Sequence, residues 1–340
     1  MRPTTKDLAK AAGVSLATVD RVLNGRPGVR KATIDRVNRV IRELGFVRDL
    51  SAANLARKRD YRFLFVLPDS TGQFMSEIIN RINEANQVFA LERMHADILR
   101  ISENDAHSIS TALDAVDPAT VDGVAIMAPA SPQVRDAIDR LRRRNVCVVA
   151  FISKQPNAES REFIGIDNTA AGRTAARLMG RFAHDGPGWL LVVCDSMQLL
   201  DNLERRYGFD SVINQEFAHL SVLPSLETFG DRQRTRAILE NVFRQEHDLR
   251  GVYVMSSEAD RVVSPLREIT DRRSLTVIAH ERTPFTESAL RNQTIDAVIT
   301  QNSGHLVRSA LRTLKAMLDG RDTIESQETV RIEILVQDNL

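Results

Sequence analysis

TTKDLAKAAGVSLATVDRVLN, residues 4–24, reads as two short helices joined by a tight turn. Thr4 caps the first helix, and Asp7 supplies the reciprocal half of a capping box. Leu8, Ala9 and Ala12 then give one apolar face at helical spacing. Gly13 stands where the chain must turn sharply, with Val14 as an apolar plug beside it. Ser15 caps a second helix that buries Val19, Val22 and Leu23. Its exposed face carries Leu16, Ala17, Thr18 and Arg21, groups suited to the floor of a major groove. Thr4, Ser15, Leu16, Ala17, Thr18, Arg21 and Asn24 are therefore the candidate DNA contacts of a helix-turn-helix.

Charge is segregated in the same direction. Residues 1–60 hold 14 Lys and Arg against 6 Asp and Glu, a net of +8, whereas the remainder carries −7. A basic head supplies phosphate contacts and faster association, and an acidic body limits non-specific adhesion to nucleic acid. A merely solvated charged face would show no such division.

The chain resembles the lactose-repressor (LacI/GalR) family of bacterial transcription regulators. The resemblance rests on DLAKAAGVSLATVDRVLNGRPGV, on Leu44-Gly45-Phe46 and on SAANLARKR, and extends through VLPD near residue 66, FIGIDNTAAGRTAA at 163–176 and ERRYGF at 204–209. It implies a three-part chain: a head over 1–47, a hinge helix or linker over 48–60, and an effector-binding and dimerisation domain over 61–340.

A third helix is expected from about Lys31 to Leu44, with Ile34, Val37, Val40, Ile41 and Leu44 as its stripe and Gly45 ending it. Three short helices enclose a small core. Residues 48–59 have helix-forming composition but are too short to be stable alone. The resemblance implies a hinge helix that orders on operator DNA, two copies entering the minor groove, with Ala52 and Leu55 as contacts. Leu55 occupies the position of a leucine wedged into the central base step, which trades stacking for contact surface. Arg48 replaces a proline frequent in the family. Asp20 replaces a frequent serine, so the operator sequence stays open.

Beyond residue 60, apolar runs of strand length alternate with helical stretches: FLFVLP at 63–68, GVAIMAP at 123–129, VCVVAFI at 146–152, WLLVVCD at 189–195, GVYVM at 251–255, LTVIAH at 275–280 and DAVIT at 296–300. Helical periodicity fills segments such as 75–91 and 132–144. Continuous apolar strands between helices indicate parallel sheets buried on both faces, and this length is too great for one ordinary core. The fold class is thus an all-α head followed by an α/β two-lobed domain. The resemblance identifies the latter with the periplasmic-binding-protein fold, with one lobe over about 61–163 and 295–322 and the other over about 164–294 and 323–340.

Ligands in such sheets sit beyond the carboxyl ends of the strands, here between the lobes. Asp69 and Ser70 follow the first strand, with Phe74 as a candidate stacking platform. Ser153 and Lys154 follow VCVVAFI. Arg205 lies where relatives place an effector-binding arginine. His280, Glu281 and Arg282 follow LTVIAH, and Gln301 follows Thr300. Guanidinium, carboxylate, amide and aromatic face suit a sugar or polyol, whose hydroxyls need donors and acceptors. Lys154 replaces an acidic group common in sugar-responsive relatives, which admits an acidic or phosphorylated ligand.

Enzymes fare badly as an alternative. There is no phosphate-binding loop, zinc spacing or nucleophile elbow, and adjacent residues such as His280 and Glu281 on an extended segment point in opposite directions. Cys147 and Cys194 lie in apolar runs and read as reduced core. No cofactor or metal is expected. No stretch approaches a membrane span, and the N-terminus lacks an apolar leader, so a cytoplasmic protein is expected. The chain reads as a homodimeric regulator binding double-stranded operator DNA under control of a small effector. A carbohydrate-binding module or sensor whose head has lost DNA function is the alternative.

Overall fold

The computed structural model describes residues 3–23, 27–44, 46, 59–102, 105–155, 158, 162–183, 186–245, 248–270 and 275–340. Asn24, Gly45, Arg48, Ala52 and Leu55, and with them most of the hinge segment, lie outside the described residues. The chain divides into two compact units, Met1–Arg59 and Asp60–Leu340.

The first unit holds helices α1 (Thr5–Ala12), α2 (Leu16–Leu23) and α3 (Lys31–Glu43). The capping box forms: Thr4 N donates to Asp7 at 2.8 Å, and Asp7 N donates back to Thr4 Oγ1 at 3.3 Å. Gly13 adopts φ +60°, a left-handed conformation that returns its N–H to the carbonyls of Ala9 and Lys10. An L side chain there would clash with the backbone. The core consists of Leu8, Ala12, Val19, Val37 and Val40, with Val22, Leu23 and Ile41 packed at its edge. Leu44, expected in the buried stripe, is instead exposed, because α3 ends at Glu43 and Leu44 is its C-cap.

The second unit contains two sheets. The first sheet is wholly parallel and uses β1 (Tyr61–Pro68), β2 (Met94–Ile101), β3 (Gly123–Ile126), β4 (Cys147–Phe151) and β5 (Phe163–Ile164) in the order β2-β1-β3-β4-β5. Helices Gln73–Phe89 (α4), Ala106–Asp114 (α5) and Pro132–Arg143 (α6) cover it, the first and last as expected from their periodicity. The second sheet runs β12-β11-β10-β9-β6-β7, with β8 paired to β6. Its strands are β6 (Gly188–Cys194), β7 (Leu220–Val222), β8 (Leu226–Glu227), β9 (Leu249–Val254), β10 (Thr276–His280), β11 (Ala297–Thr300) and β12 (Glu333–Leu335). Only β12 is antiparallel to its neighbour in that order.

One lobe boundary differs from the sequence reading. β11, expected to open the return to the first lobe at about 295, pairs with β10 and belongs to the second sheet. Its four residues are all buried, so a continuous apolar strand completes that sheet before the chain leaves. Helix Ser303–Asp319 then packs on the first lobe against α4 and β4.

The segment that positions the cleft is a helix pair, α7 (Asn168–Phe182) and α8 (Leu200–Glu216). A Cβ added at Gly172 would sit 1.9 Å from the Arg205 carbonyl oxygen, and one at Gly208 would sit 2.1 Å from that of Thr169. Two glycines thus let the backbones touch.

Candidate functional site

In the first unit, Leu16, Ala17 and Arg21 are exposed on one face of α2. Ser15 and Thr18 serve the helix start: Thr18 N donates to Ser15 Oγ at 3.1 Å, and the two hydroxyls lie 2.9 Å apart. Thr4 is held in the capping box. The open polar group of this face is therefore the Arg21 guanidinium, flanked by apolar Leu16 and Ala17.

In the second unit, the ends of β10 and β11 and the first turns of α7 and α8 meet. Arg205 is 5% exposed, Glu281 2% and Gln301 4%. Arg205 Nε donates to Asn168 Oδ1 at 2.8 Å, and its Nη1 donates to the Met255 carbonyl at 2.9 Å. Its Nη2 lies 3.8 Å from Glu281 Oε1, which also accepts from Gln301 Nε2 at 3.0 Å. The three residues expected to act together are thus brought together. Glu281 adopts φ +66°, a strained left-handed backbone of the kind that clusters at ligand clamps.

Two acceptors in this set have no partner: Glu281 Oε2 and Gln301 Oε1. Buried acceptors without a donor are costly. Burial pushes the Glu281 carboxyl up to about 7, against the opposing pull of Arg205, the Gln301 amide and the nearby Thr300 hydroxyl, and Asp201 adds to the rise. Folding therefore favours its protonated form. The associated stability is present below the ordinary carboxyl pKa of about 4.3 and is lost as pH rises through about 7. Thermal melts should show a midpoint that falls over this window, by up to roughly 3 kcal/mol of stability. Glu281→Gln should flatten the fall, and an unchanged pH profile would remove Glu281 as its source.

Sequence reasoning missed several members. Asn168 opens α7 and hydrogen-bonds both Arg205 and Glu204. Glu204 in turn lies 3.9 Å from Lys154 Nζ, and burial raises its pKa more than Lys154 lowers it. Asp201 is close enough to act on Glu204 and Glu281. Glu258, after β9, accepts from Gln73 N of α4 at 3.1 Å. Gln73 Oε1 accepts from Phe285 N at 3.0 Å, so Gln73 meets the second lobe twice. Gly72 makes room for this bridge, since a Cβ there would fall 1.8 Å from Glu258 Oε1. Asn168, within FIGIDNTAAG, and Glu204, at the head of ERRYGF, lay in stretches already singled out, whereas Asp201, Glu258 and Gln73 carried no such signal.

Other expected residues stand apart. Asp69 is exposed and faces Arg100, at 3.3 Å, at the edge of the first sheet. Phe74 is buried in the apolar core and is not an open stacking platform, because it begins the apolar face of α4 with Met75 and Ile78. Ser153 is half-buried, and neither it nor Asp69 bonds to the Arg205 set. His280 is fully buried with Nε2 2.7 Å from the Tyr253 hydroxyl, and burial holds its pKa well below the usual range. It supports the floor beneath Arg205 as a neutral core histidine. Cys194 is buried and its thiol is pushed up to about 12, mainly by burial. Among the described residues no cluster of His, Cys, Asp and Glu is arranged to hold a metal, and no helix is long and apolar enough to cross a membrane.

Two α/β lobes with a buried Arg–Glu–Gln set at the strand ends, preceded in the sequence by a helix-turn-helix unit, define the class. The family model for bacterial regulatory proteins of the lacI family matches residues 4–49, and the periplasmic binding protein domain model matches residues 63–322. The chain thus carries the DNA-binding helix-turn-helix of the lacI family of bacterial regulatory proteins, joined to a periplasmic-binding-protein domain that spans most of its length. The maltose regulon regulatory protein MalI of Escherichia coli K12 is 29% identical over 187 residues, covering 55% of this chain and 53% of MalI. The regulator pepR1 of Lactobacillus delbrueckii subsp. lactis is 28% identical over 230 residues, covering 67% of this chain and 66% of that protein. The aligned part thus spans about half to two thirds of the length of these two relatives. A putative LacI transcriptional regulator from Bacteroides fragilis superposes with TM-score 0.71 at 18% identity, covering 83% of this chain and 98% of that one. The glucose-galactose binding protein GanP of Geobacillus stearothermophilus superposes with TM-score 0.72 at 16% identity, covering 83% of this chain and 99% of its own. These likenesses show the fold.

Proposed function

We propose that the protein is a sequence-specific repressor of a sugar or polyol operon, working as a homodimer whose grip on operator DNA is set by a small polar ligand between the lobes. One observation carries the reading. The chain that bears the exposed Leu16–Ala17–Arg21 face also bears a buried Arg205–Glu281–Gln301 set with two acceptors left open. The name of MalI, a maltose regulon regulatory protein, supports a sugar-related operon. Two heads at roughly 10 base-pair centre-to-centre spacing fit a near-palindromic operator, which puts the working protein in the cytoplasm. Lobe movement would change the spacing of the two hinge segments, and a ligand of either sign acts through its differential affinity for two states.

Gel shifts on the protein's own promoter region test this reading. Arg21→Ala should cost on the order of 1–3 kcal/mol at the operator and leave random-sequence binding largely intact. Equal losses on both would make Arg21 a phosphate contact. No specific complex from the unaltered protein would leave the other reading, a carbohydrate sensor with a silent head.

A further inference from the structure

Each cationic group between the lobes already faces an acceptor of the chain itself, although Arg205 keeps N–H donors to spare. Arg205 is committed to Asn168, to the Met255 carbonyl and, more loosely, to Glu281. Lys154, the residue that admitted a phosphorylated or acidic ligand, faces Glu204 at 3.9 Å. The N-terminus of α4, an anion-attracting helix end, takes the Glu258 carboxylate through the Gln73 N–H. Within the Arg205–Glu281–Gln301 set, the buried atoms left without a partner are acceptors, Glu281 Oε2 and Gln301 Oε1, on side chains 2% and 4% exposed. Asp201 adds a further negative charge beside Glu281.

From this balance we infer that the cleft ligand is an amine-bearing polyhydroxyl compound, an amino sugar or amino polyol, whose ammonium is received by Glu281 Oε2 and Gln301 Oε1. The inference rests on the ligand-gated reading above and names the ligand's class. An ammonium carries three donors and no acceptor, matching a site whose unmet atoms are acceptors. A hydroxyl donates once and brings lone pairs that need partners of their own. A phosphate or carboxylate brings acceptors alone and would face Glu281 and Asp201 with like charge. Glu281 is also poised to respond. Its carboxyl is held near the edge of ionisation by burial, and a bound cation holds it ionised and converts a neutral contact into a charge-assisted one. The hydroxyls of the same ligand then have the remaining guanidinium donors of Arg205 to meet.

Thermal-shift and calorimetric titration of the full-length protein against matched series tests this. Each series holds an amine, its neutral parent and its phosphate: glucosamine, glucose and glucose 6-phosphate; galactosamine, galactose and galactose 6-phosphate; 1-amino-1-deoxysorbitol, sorbitol and sorbitol 6-phosphate. In a responding series the amine should raise the melting midpoint most and bind about tenfold or more tightly than its parent, the factor a charge-assisted bond supplies. Glu281→Gln, checked by its cooperative melt, should erase that advantage, so that amine and parent bind alike. Gln301→Glu, with a second carboxylate, should widen it. The inference is overturned if the neutral or phosphorylated member binds as well as the amine in each responding series, or if Glu281→Gln keeps the preference. A protein that responds to none of these compounds, in melting or in operator binding, overturns the inference. If operator binding also proves indifferent to a broad metabolite mixture, the ligand-gated reading falls with it.

Discussion

Arg205→Ala is expected to yield a protein that binds operator DNA but no longer answers to its ligand, at a marked cost in stability. The guanidinium satisfies Asn168 Oδ1 and the Met255 carbonyl, and offsets the Glu281 charge. Truncation leaves these buried acceptors without donors. Removing one partner of a buried ion pair costs on the order of 3–5 kcal/mol. Glu281, already shifted up to about 7, would take a proton and hold the loss toward the lower end. The response is lost for a separate reason. A ligand moves a two-state equilibrium only by its difference in affinity for the two states, and the deleted contact removes part of that difference. Operator binding titrated with and without ligand, beside thermal melts, measures both effects. A variant that responds as the unaltered protein does to the same compound would take Arg205 out of the ligand site.

Gly172→Ala should have an effect of comparable size without removing any polar group. The new methyl would sit 1.9 Å from the Arg205 carbonyl oxygen, so α8 must move away from α7. Overpacking of this kind costs about 1–3 kcal/mol, and displacement of α8 carries Arg205 off Asn168. Ligand affinity should therefore fall by more than the drop in melting midpoint alone would suggest, and Gly208→Ala should behave alike. Gly304→Ala is the control. Its methyl would meet the tip of the Arg308 side chain at 2.8 Å, a flexible group that can swing aside. Its melt should be little changed. Equal behaviour of the Gly172 and Gly304 variants would show that the helix contact does not hold the site.

Much of this fold was legible because its strands are buried on both faces and so read as unbroken apolar runs. Each of the seven runs singled out contains a strand. β2 escaped notice because MHADILRI alternates, with exposed His95 and Asp97, as befits the edge of the first sheet. β12, another edge strand, is only three residues long. The rule that ligands lie beyond strand ends singled out Glu281 and Gln301, and the family resemblance singled out Arg205; the structure sets the three side by side. The same rule overreached at Phe74, where the aromatic belongs to the apolar face of α4, and at His280, whose ring joins Tyr253. Asn168, Glu204 and Glu258 were not legible as a group. Their meeting depends on two glycines that close one helix onto another, and on lobes that approach across the cleft. Neither distance is written in local periodicity.

The bridges across the cleft have a kinetic consequence. Glu258 to Gln73, Phe285 to Gln73 and Lys154 to Glu204 are contacts the chain makes with itself, so on the proposed ligand-gated reading a ligand would enter through the share of molecules in which they are parted. Apparent affinity is then scaled by that share. At high ligand supply the speed of response is capped by how often the lobes separate. The protein's own hydrogen bonds, rather than metabolite abundance, would set the shortest interval over which it can register a change in its surroundings.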